Sequence, residues 1–347
     1  MSKHTTSLLD AEPYYNTELG SLRAVTAEQL PILKNLSIKR LILSPSSIRE
    51  PHWHANANEL AYCVHGTVLV NILDTGNVFS TFVIETGQMF HIESGSLHHI
   101  ENISNAEAEI VICFRHENPK EFALSASMGA MTDAVLGNTY DHHSSDWSKI
   151  TRNTQPKYIV QRKEDPDIPS TAYFPDPHKY DIEEMNPPVV SEVGSNRTAR
   201  NQFWPALHNM SMYSLRVEEI GMREAHWHPE TAELGYVAEG EARMTIMDPD
   251  GSTDTYILKK GDMYYVPVSY PHQIEVIGNE KVHLLIFFDQ ANPKDVGYRT
   301  SVTAMSRQTL ASTLGTSETD LQRFPFTTKD PLIVRKKNSV DDVKSKL

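Results

Sequence analysis

A long internal repeat constrains the fold of this chain more than any other feature of its sequence. Residues 48–74 match residues 222–248 without a gap, at a constant offset of 174 residues. The same offset relates Gly87 to Gly261, His98 to His272, Phe114 to Phe288, and NPKE at 118–121 to NPKD at 292–295. A chain of 347 residues is also long enough for about two domains. The sequence therefore predicts two copies of one folding unit.

Each copy carries the pattern of short β-strands. Runs such as LAYCVHG (60–66), VLVNIL (68–73) and EIVICF (109–114) contain alternating or β-branched apolar residues, with glycine-containing turns between the runs. Many short antiparallel strands predict an all-β fold, either a closed barrel or a jelly roll, because both limit exposed sheet edges. After each set of strands, residues 125–140 and 301–324 predict short helices, the second with Gly315 near its end.

The repeat also suggests domain boundaries. We expect an N-terminal domain with an N-terminal arm at residues 1–152 and a C-terminal domain with a helical extension at residues 189–347. Residues 153–188 are rich in proline, aspartate and lysine, which is typical of a linker or crossover arm.

Composition narrows the class of partner. The formal net charge is −13 and the isoelectric point is near 5.6, so we expect neither nucleic acid nor an anionic membrane as a partner. Cys63 and Cys113 both lie in apolar runs, which favours buried, reduced thiols. The sequence contains no apolar run long enough to span a membrane and no secretory signal pattern, so a cytoplasmic location is expected.

A repeated set of histidines and a glutamate predicts two metal sites. Alternate residues of a strand share a face, so His52 and His54 point the same way. Glu59 follows after a short turn, and His98 comes from a later hairpin. An isolated His-x-His pair is more often two strand histidines without a metal, but here all four residue types recur at the same spacing. Three imidazoles and one carboxylate suit Mn(II) or Fe(II). The second set comprises His226, His228, Glu233 and His272.

This spacing resembles the pattern of the cupin superfamily, which would make the fold a duplicated double-stranded β-helix, or jelly-roll barrel. The chain departs from that pattern at Ser46, Glu93, Ser269 and Val276, which are all turn positions rather than ligands. More narrowly, IREPHWH and MREAHWHPETAEL resemble the bicupin oxalate decarboxylases. The resemblance implies Mn(II) in two sites, with Fe(II) as an alternative, and dioxygen as a co-catalyst.

The same resemblance implies roles for three further residues. An arginine three residues before the first metal-binding histidine binds the substrate carboxylate in that family, which assigns this role to Arg49 and Arg223. To face the metal site, each arginine needs a loop or a bulge that turns it inward; the alternative is a surface salt bridge to Glu50 or Glu224. The family's proton donor is a glutamate on a Ser-Glu-Asn-Ser lid, which this sequence lacks. Glu121 falls at the corresponding place, either as a general acid with a pKa raised by burial or as a solvated loop residue.

Three functions are compatible with these features. The first is oxalate decarboxylation to formate and carbon dioxide, and the second is oxalate oxidation or another dioxygen-dependent reaction of a small carboxylic acid. The third is a metal- or ligand-binding role without catalysis. The resemblance also implies assembly through the helical extensions into a homo-oligomer, a trimer or a hexamer.

Overall fold

The computed structural model describes residues 3–325 and 327–342 and divides them into two compact units. The first unit contains residues 8–184 and 204–206, and the second contains the described parts of residues 1–7, 185–203 and 207–347. The predicted linker at 153–188 falls mostly within the first unit by this division. The domain boundaries expected from the sequence stay a prediction.

One strand, β1 (Thr5–Ser7), precedes the first unit in the chain and belongs to the second. The strands of the first unit are β2 (Tyr15–Thr17), β3 (Gly20–Val25), β4 (Ser37–Leu43), β5 (Ser47–His54), β6 (Glu59–His65), β7 (Thr67–Asp74), β8 (Val78–Glu85), β9 (Gln88–Ile92), β10 (Leu97–Asn102), β11 (Ala108–Phe114), β12 (Glu121–Ala123), β13 (Ile159–Gln161) and β14 (Lys179–Asp181).

The remaining strands belong to the second unit. They are β15 (Val189–Ser191), β16 (Gly194–Ala199), β17 (Ser211–Val217), β18 (Gly221–Trp227), β19 (Glu233–Glu239), β20 (Glu241–Met247), β21 (Thr253–Lys259), β22 (Asp262–Val266), β23 (His272–Val276), β24 (Val282–Phe288), β25 (Val296–Gly297) and β26 (Ile333–Arg335).

Each unit consists of two antiparallel sheets around one apolar core. In the first unit the strand orders are β12-β5-β10-β7-β8, with β13 also paired to β5, and β14-β9-β6-β11-β4-β3-β2. The second unit repeats this arrangement as β21-β20-β23-β18-β25, with β26 paired to β18, and β1-β22-β19-β24-β17-β16-β15. None of the four sheets of the described residues closes on itself. Of the two predicted architectures, the closed barrel and the jelly roll, the jelly roll is therefore correct. Both cores are built from inward-facing Val, Ile, Leu and Phe side chains.

The offset of 174 residues extends well beyond the stretches visible in the sequence. It relates β1 to β14, and these two strands pair with the equivalent strands β22 and β9. Each unit is therefore completed by a strand that sequence order places at the start of the other repeat. The offset also relates the last strands of the two repeats, β13 and β26.

Helices follow the sheets in both units, as predicted, but they are shorter than expected. They are α1 (Leu124–Ala130), α2 (Asp133–Tyr140), α3 (Tyr298–Thr303) and α4 (Arg307–Thr313). Gly315 adopts φ +64° just after α4, a left-handed conformation that glycine tolerates at a helix end. Within the described residues, none of the helices has the length and apolarity needed to cross a membrane. Cys63 and Cys113 are buried free thiols, which confirms the sequence prediction.

Candidate metal centres

The first candidate centre is built on β5, the strand that carries His52 and His54. This strand pairs with β10, and the register places His52 opposite His98. Between Arg49 and His52 the register shifts by one residue, which is a β-bulge. Of the loop or bulge expected from the sequence, the structure has the bulge, and β18 has the same shift between Arg223 and His226. One extra residue re-aims the arginine, so that arginine and histidines can share a face.

Four side chains converge in the first unit. His52, His54, Glu59 and His98 are all buried, and each offers a ligand atom within 4.8 Å of the others. Glu59 Oε2 lies 3.1 Å from His54 Nε2 and 3.5 Å from His98 Nε2. Burial would raise the pKa of Glu59, but its close contacts with His54 and His98 outweigh burial and lower the pKa. Glu59 is therefore an anionic oxygen donor beside three imidazoles.

Backbone carbonyls fix the orientation of two histidines in each group. His52 Nδ1 donates to the carbonyl of Glu50 at 2.8 Å, and His98 Nδ1 donates to that of Ser96 at 2.9 Å. A carbonyl can only accept, so the proton is on Nδ1 and the Nε2 lone pair is free for a metal. Burial also lowers the pKa of His52 and, to about 4, that of His54, which keeps both rings neutral.

The second unit repeats this geometry. His226, His228, Glu233 and His272 are buried, with ligand atoms again within 4.8 Å of one another. His226 Nδ1 donates to the carbonyl of Glu224 at 2.7 Å, and His272 Nδ1 donates to that of Tyr270 at 2.9 Å. The distance between the ring centroids of His226 and His272 is 4.1 Å, against 4.2 Å for His52 and His98.

One contact distinguishes the two glutamates. The hydroxyl of Tyr264 donates to Glu233 Oε1 at 2.6 Å, whereas the equivalent residue in the first unit is Phe90. Glu59 Oε1 is buried without a hydrogen-bond partner among the described residues. Gly235 makes room for the tyrosine, because a Cβ there would lie 2.1 Å from the Tyr264 ring, and its counterpart is Ala61. A hydrogen bond thus holds Oε1 of Glu233, whereas no such bond holds Oε1 of Glu59 among the described residues.

Both groups fit a divalent metal ion by the chemistry of their donors. Nε2 of His226 is buried and has no hydrogen-bond partner within the described part of the chain, and Nε2 of His98 and of His272 each lies 3.5 Å from the glutamate of its group. Buried polar atoms without partners are rare and call for an explanation. Imidazole nitrogens that face a buried carboxylate suit Mn(II) or Fe(II). One bound ion in each group would coordinate the nitrogens of that group.

A buried ion cluster adjoins the first group. Arg49 is only 2% exposed; its Nη2 lies 2.6 Å from Glu121 Oε1, and Lys39 Nζ lies 3.2 Å from Glu121 Oε2. The alternative of a surface pair between Arg49 and Glu50 is therefore wrong. Glu121 lies on β12, not in a solvated loop. Burial would raise its pKa, but the charges of Lys39 and Arg49 outweigh burial and lower the pKa, the opposite of the direction expected for a general acid.

The second group has a related but smaller cluster. Arg223 Nη2 lies 2.5 Å from Asp295 Oδ2, and Asp295 Oδ1 lies 2.9 Å from His228 Nδ1. A carboxylate on the outer nitrogen of a histidine orients the ring toward a metal. Arg223 is buried, so a surface pair with Glu224 is also wrong. Burial would raise the pKa of Asp295, but Arg223 and His228 lower it to about 2.

Sequence reasoning missed Lys39 and Tyr264. Lys39 shares a face of β4 with Leu41 and Leu43, both of which belong to the apolar core. A lysine in that position is a signal that could have been noticed. Tyr264 stands where the first repeat has phenylalanine, so a comparison of the two copies could have identified it.

Comparison with known proteins agrees with this geometry. The family profile described as cupin matches residues 6–146 and again residues 181–322. Oxalate decarboxylase OxdC of Bacillus subtilis (strain 168) is 30% identical over 287 residues, which cover 80% of this chain and 73% of that protein. A probable oxalate decarboxylase of Arthroderma benhamiae is 24% identical over 74% of this chain and 65% of its own length.

Solved structures of the Bacillus subtilis enzyme share the fold. Its structure at pH 4.6 has a TM-score of 0.84 and 27% identity, covering 97% of this chain and 88% of that one. A second structure, used to assign the EPR parameters of that enzyme's Mn(II) centres, has a TM-score of 0.84 and 26% identity, with 97% and 90% covered. With two cupin matches and a full-length structural likeness, this chain belongs to the cupin family, as a member of its bicupin oxalate decarboxylases.

Proposed function

We propose that this protein is a manganese-dependent oxalate decarboxylase, which converts oxalate and one proton into formate and carbon dioxide. One observation carries the proposal. Arg49, a buried cation three residues before His52, already holds a carboxylate, that of Glu121, at 2.6 Å. A guanidinium beside a metal-binding group suits a small dicarboxylate, because one carboxylate can bind the arginine while the other reaches the metal.

The candidate ligands are His52, His54, Glu59 and His98 in the first unit and their four counterparts in the second. Their donor set suits Mn(II), with Fe(II) as the alternative, and the Mn(II) centres of the Bacillus subtilis relative support manganese. When bound, the metal together with dioxygen supplies the one-electron oxidation that weakens the carbon–carbon bond of oxalate.

The residues of the first unit bind and orient the substrate and manage the proton. Arg49 holds one carboxylate of oxalate by a bidentate pair after Glu121 has moved aside. The carbon–carbon bond breaks and carbon dioxide leaves. The remaining carbon must then take up one proton and the electron that was withdrawn, which gives formate with no net oxidation. Glu121 is the carboxyl group nearest to Arg49 and remains our candidate for the proton donor. Arg223 has the corresponding substrate-binding role in the second unit.

Oxalate oxidation is a second candidate, and one observation favours it. Lys39 and Arg49 hold Glu121 as a carboxylate, which cannot donate a proton in that state. If no other group protonates the carbon, both carbons leave as carbon dioxide, and dioxygen is reduced to hydrogen peroxide.

Turnover of Mn-loaded variants tests the proposal. We expect Arg49→Gln to raise KM for oxalate and to lower kcat/KM by at least tenfold, because it removes a charge-assisted bidentate contact. Arg40→Gln is the matched control. Arg40 follows Lys39 on β4 and pairs with Glu109 at 2.7 Å, so this substitution also removes an arginine from an ion pair but leaves the Arg49–Glu121 pair in place. Equal kcat/KM in the Arg49 variant and the control would contradict substrate binding by Arg49. Formate and peroxide, measured together, separate the two reactions.

The partner inferred for this protein is thus a small carboxylate rather than a macromolecule. A binding role without catalysis would be indicated if Mn-loaded protein produced neither formate nor peroxide. The cytoplasmic location expected from the sequence stays a prediction.

A further inference from the structure

The second unit contains a cavity that has no role in the proposed oxalate turnover at the first centre. Its volume is about 650 Å³, which is in the range of small-molecule sites and far larger than oxalate needs. Asp295, which pairs with Arg223 and His228, lines this cavity. The cavity therefore reaches the ion cluster beside the second metal-binding group.

In the first unit, three tyrosines stand where the second unit has the wall of this cavity. Tyr158 packs against Tyr14 and Tyr15, with ring centroids 5.6 and 5.4 Å apart, and its ring also lies 5.6 Å from the Arg49 guanidinium. At the offset of 174 residues, the three tyrosines correspond to Pro188, Val189 and Leu332, which all line the cavity.

Two pairs of contacts show that these positions are structurally equivalent. Arg49 Nη1 donates to the carbonyl of Tyr158 at 3.1 Å, and Arg223 Nη1 donates to that of Leu332 at the same distance. Likewise, Tyr15 pairs with Leu22 in the first unit, and Val189 pairs with Asn196 in the second. Smaller side chains at matching backbone positions thus open space in the second unit that aromatic rings occupy in the first.

Two polar residues belong to the wall of this space. Asn196 and Thr198, which line the cavity, replace Leu22 and Ala24 of the first unit. Asn196 Oδ1 and Thr198 Oγ1 are buried and have no hydrogen-bond partner among the residues that the structure describes. Both side chains belong to residues that are at most 3% exposed. The wall of the second unit is therefore more polar at these two positions than the corresponding wall of the first unit.

A cation completes the cavity. Arg200, at the position of Thr26 in the first unit, lies with its guanidinium 4.8 Å above the ring of Tyr213, and its buried Nε has no partner in the described part of the chain. Burial lowers the pKa of Arg200, and Asp295 offsets this only in part. Asp295 is already engaged with Arg223 and His228, so the charge of Arg200 is left to attract an anion.

We propose that this cavity binds a small organic carboxylate with an apolar body, held by Arg200. The planar guanidinium matches a carboxylate and can donate to both of its oxygens. Pro188, Val189, Phe203 and Leu332 provide the apolar wall. This site goes beyond oxalate turnover, because it lies in the second unit and its volume suits a larger acid.

Titration of Mn-loaded full-length protein with benzoate tests this site by calorimetry. We expect binding that Arg200→Gln weakens at least tenfold, because a charge-assisted contact is lost. The double variant Val189→Tyr and Leu332→Tyr, which installs the residues of the first unit, should abolish binding by filling the cavity. Lys260→Gln, which changes an exposed cation elsewhere in the second unit, is the matched control. Benzyl alcohol, which lacks the charge, should not bind measurably.

Two results would overturn the proposal. One is that no benzoate binding is detected at millimolar concentrations. The other is equal affinity in wild type, Arg200→Gln and the tyrosine double variant, which would place benzoate on the metal ions or elsewhere. Circular dichroism of each variant establishes that it is folded, and the two variants act by independent means, charge removal and steric filling. The benzoate titration does not depend on oxalate turnover, so a protein that fails to turn over oxalate can still bind benzoate in this cavity.

Discussion

The two candidate metal centres keep the same four ligands and differ in the residues that touch them. Lys39 in the first unit is replaced by Tyr213 in the second, and Phe90 is replaced by Tyr264. The first change gives the carboxylate of Glu121 two cationic partners, Lys39 and Arg49, whereas Asp295 pairs with one arginine, Arg223, and with the ring of His228. An excess buried cation favours an anionic ligand, because unpaired buried charge is costly. At the residue scale, this makes the first centre the better site for oxalate.

The cluster around Glu121 leads to a prediction on stability. Glu121→Gln leaves Lys39 and Arg49 buried without their anion and should lower the free energy of unfolding by about 3 kcal/mol. Lys39→Met in the same chain should recover part of that loss, because it removes one of the uncompensated charges. Urea denaturation of both single variants and the double variant measures the coupling. Additive losses would show that Lys39 and Glu121 do not interact.

The lowered pKa of Glu121 also predicts a pH dependence. A carboxyl whose pKa is lower in the folded state contributes stability above its unfolded pKa, near 4.5. That contribution is lost as the pH falls below 4.5 towards the folded value. Wild type should therefore lose stability on acidification more steeply than Glu121→Gln, as measured by urea denaturation from neutral pH to about pH 3. Parallel curves would contradict the ion-paired state of Glu121.

The hydrogen bond from Tyr264 predicts a difference in metal affinity. Tyr264→Phe removes the donor to Glu233 Oε1 and installs the residue that the first unit has naturally, so folding should be retained. Loss of such a supporting contact typically weakens metal binding by roughly 10- to 100-fold, and we expect about tenfold for the second centre. Manganese titration followed by EPR measures it. An unchanged affinity would show that Tyr264 has no role in holding the carboxylate for the metal.

At the scale of elements, the completion of each unit by a distant strand leads to another prediction. β1 pairs with β22, and the preceding His4 is fully buried, with its Nδ1 2.9 Å from the carbonyl of Tyr265. Deleting residues 1–7 should therefore expose the edge of β22 and accelerate amide hydrogen exchange at residues 262–266. The equivalent strand β9, which pairs with β14, is the internal control and should keep its protection. Equal protection of residues 262–266 with and without the deletion would contradict a structural role for β1.

Elements and ligands were predictable from the sequence to different extents. The two metal-binding groups followed from the spacing of their residues. Period-two alternation places His52 and His54 on one face of a strand, and the same four residue types recur at the same spacing in the second repeat. The exchange of β1 and β14 was not predictable, since three-residue strands are too short for a periodic signal. Lys39 was missed because β4 is buried on both faces, so alternation did not mark its inward side.

At the scale of the whole molecule, the helical extensions carry exposed apolar side chains. Val135 and Tyr140 on α2 and Tyr298 on α3 are exposed, as are Met305 and Leu314 on either side of α4. Exposed apolar surface of this kind is typical of interaction sites. We predict a homo-oligomer, with light scattering giving three or six times the 39.2 kDa mass of one chain. A monomer at micromolar concentration would contradict this prediction.

We propose that the first centre, with its metal, turns oxalate into formate. The most direct measurement is turnover of Mn-loaded protein with oxalate under air at mildly acidic pH, with formate and hydrogen peroxide quantified in the same sample. We predict formate as the main product, in equal amounts with carbon dioxide. Peroxide with little formate would contradict decarboxylation in favour of oxidation, and the absence of both products would contradict oxalate as the substrate.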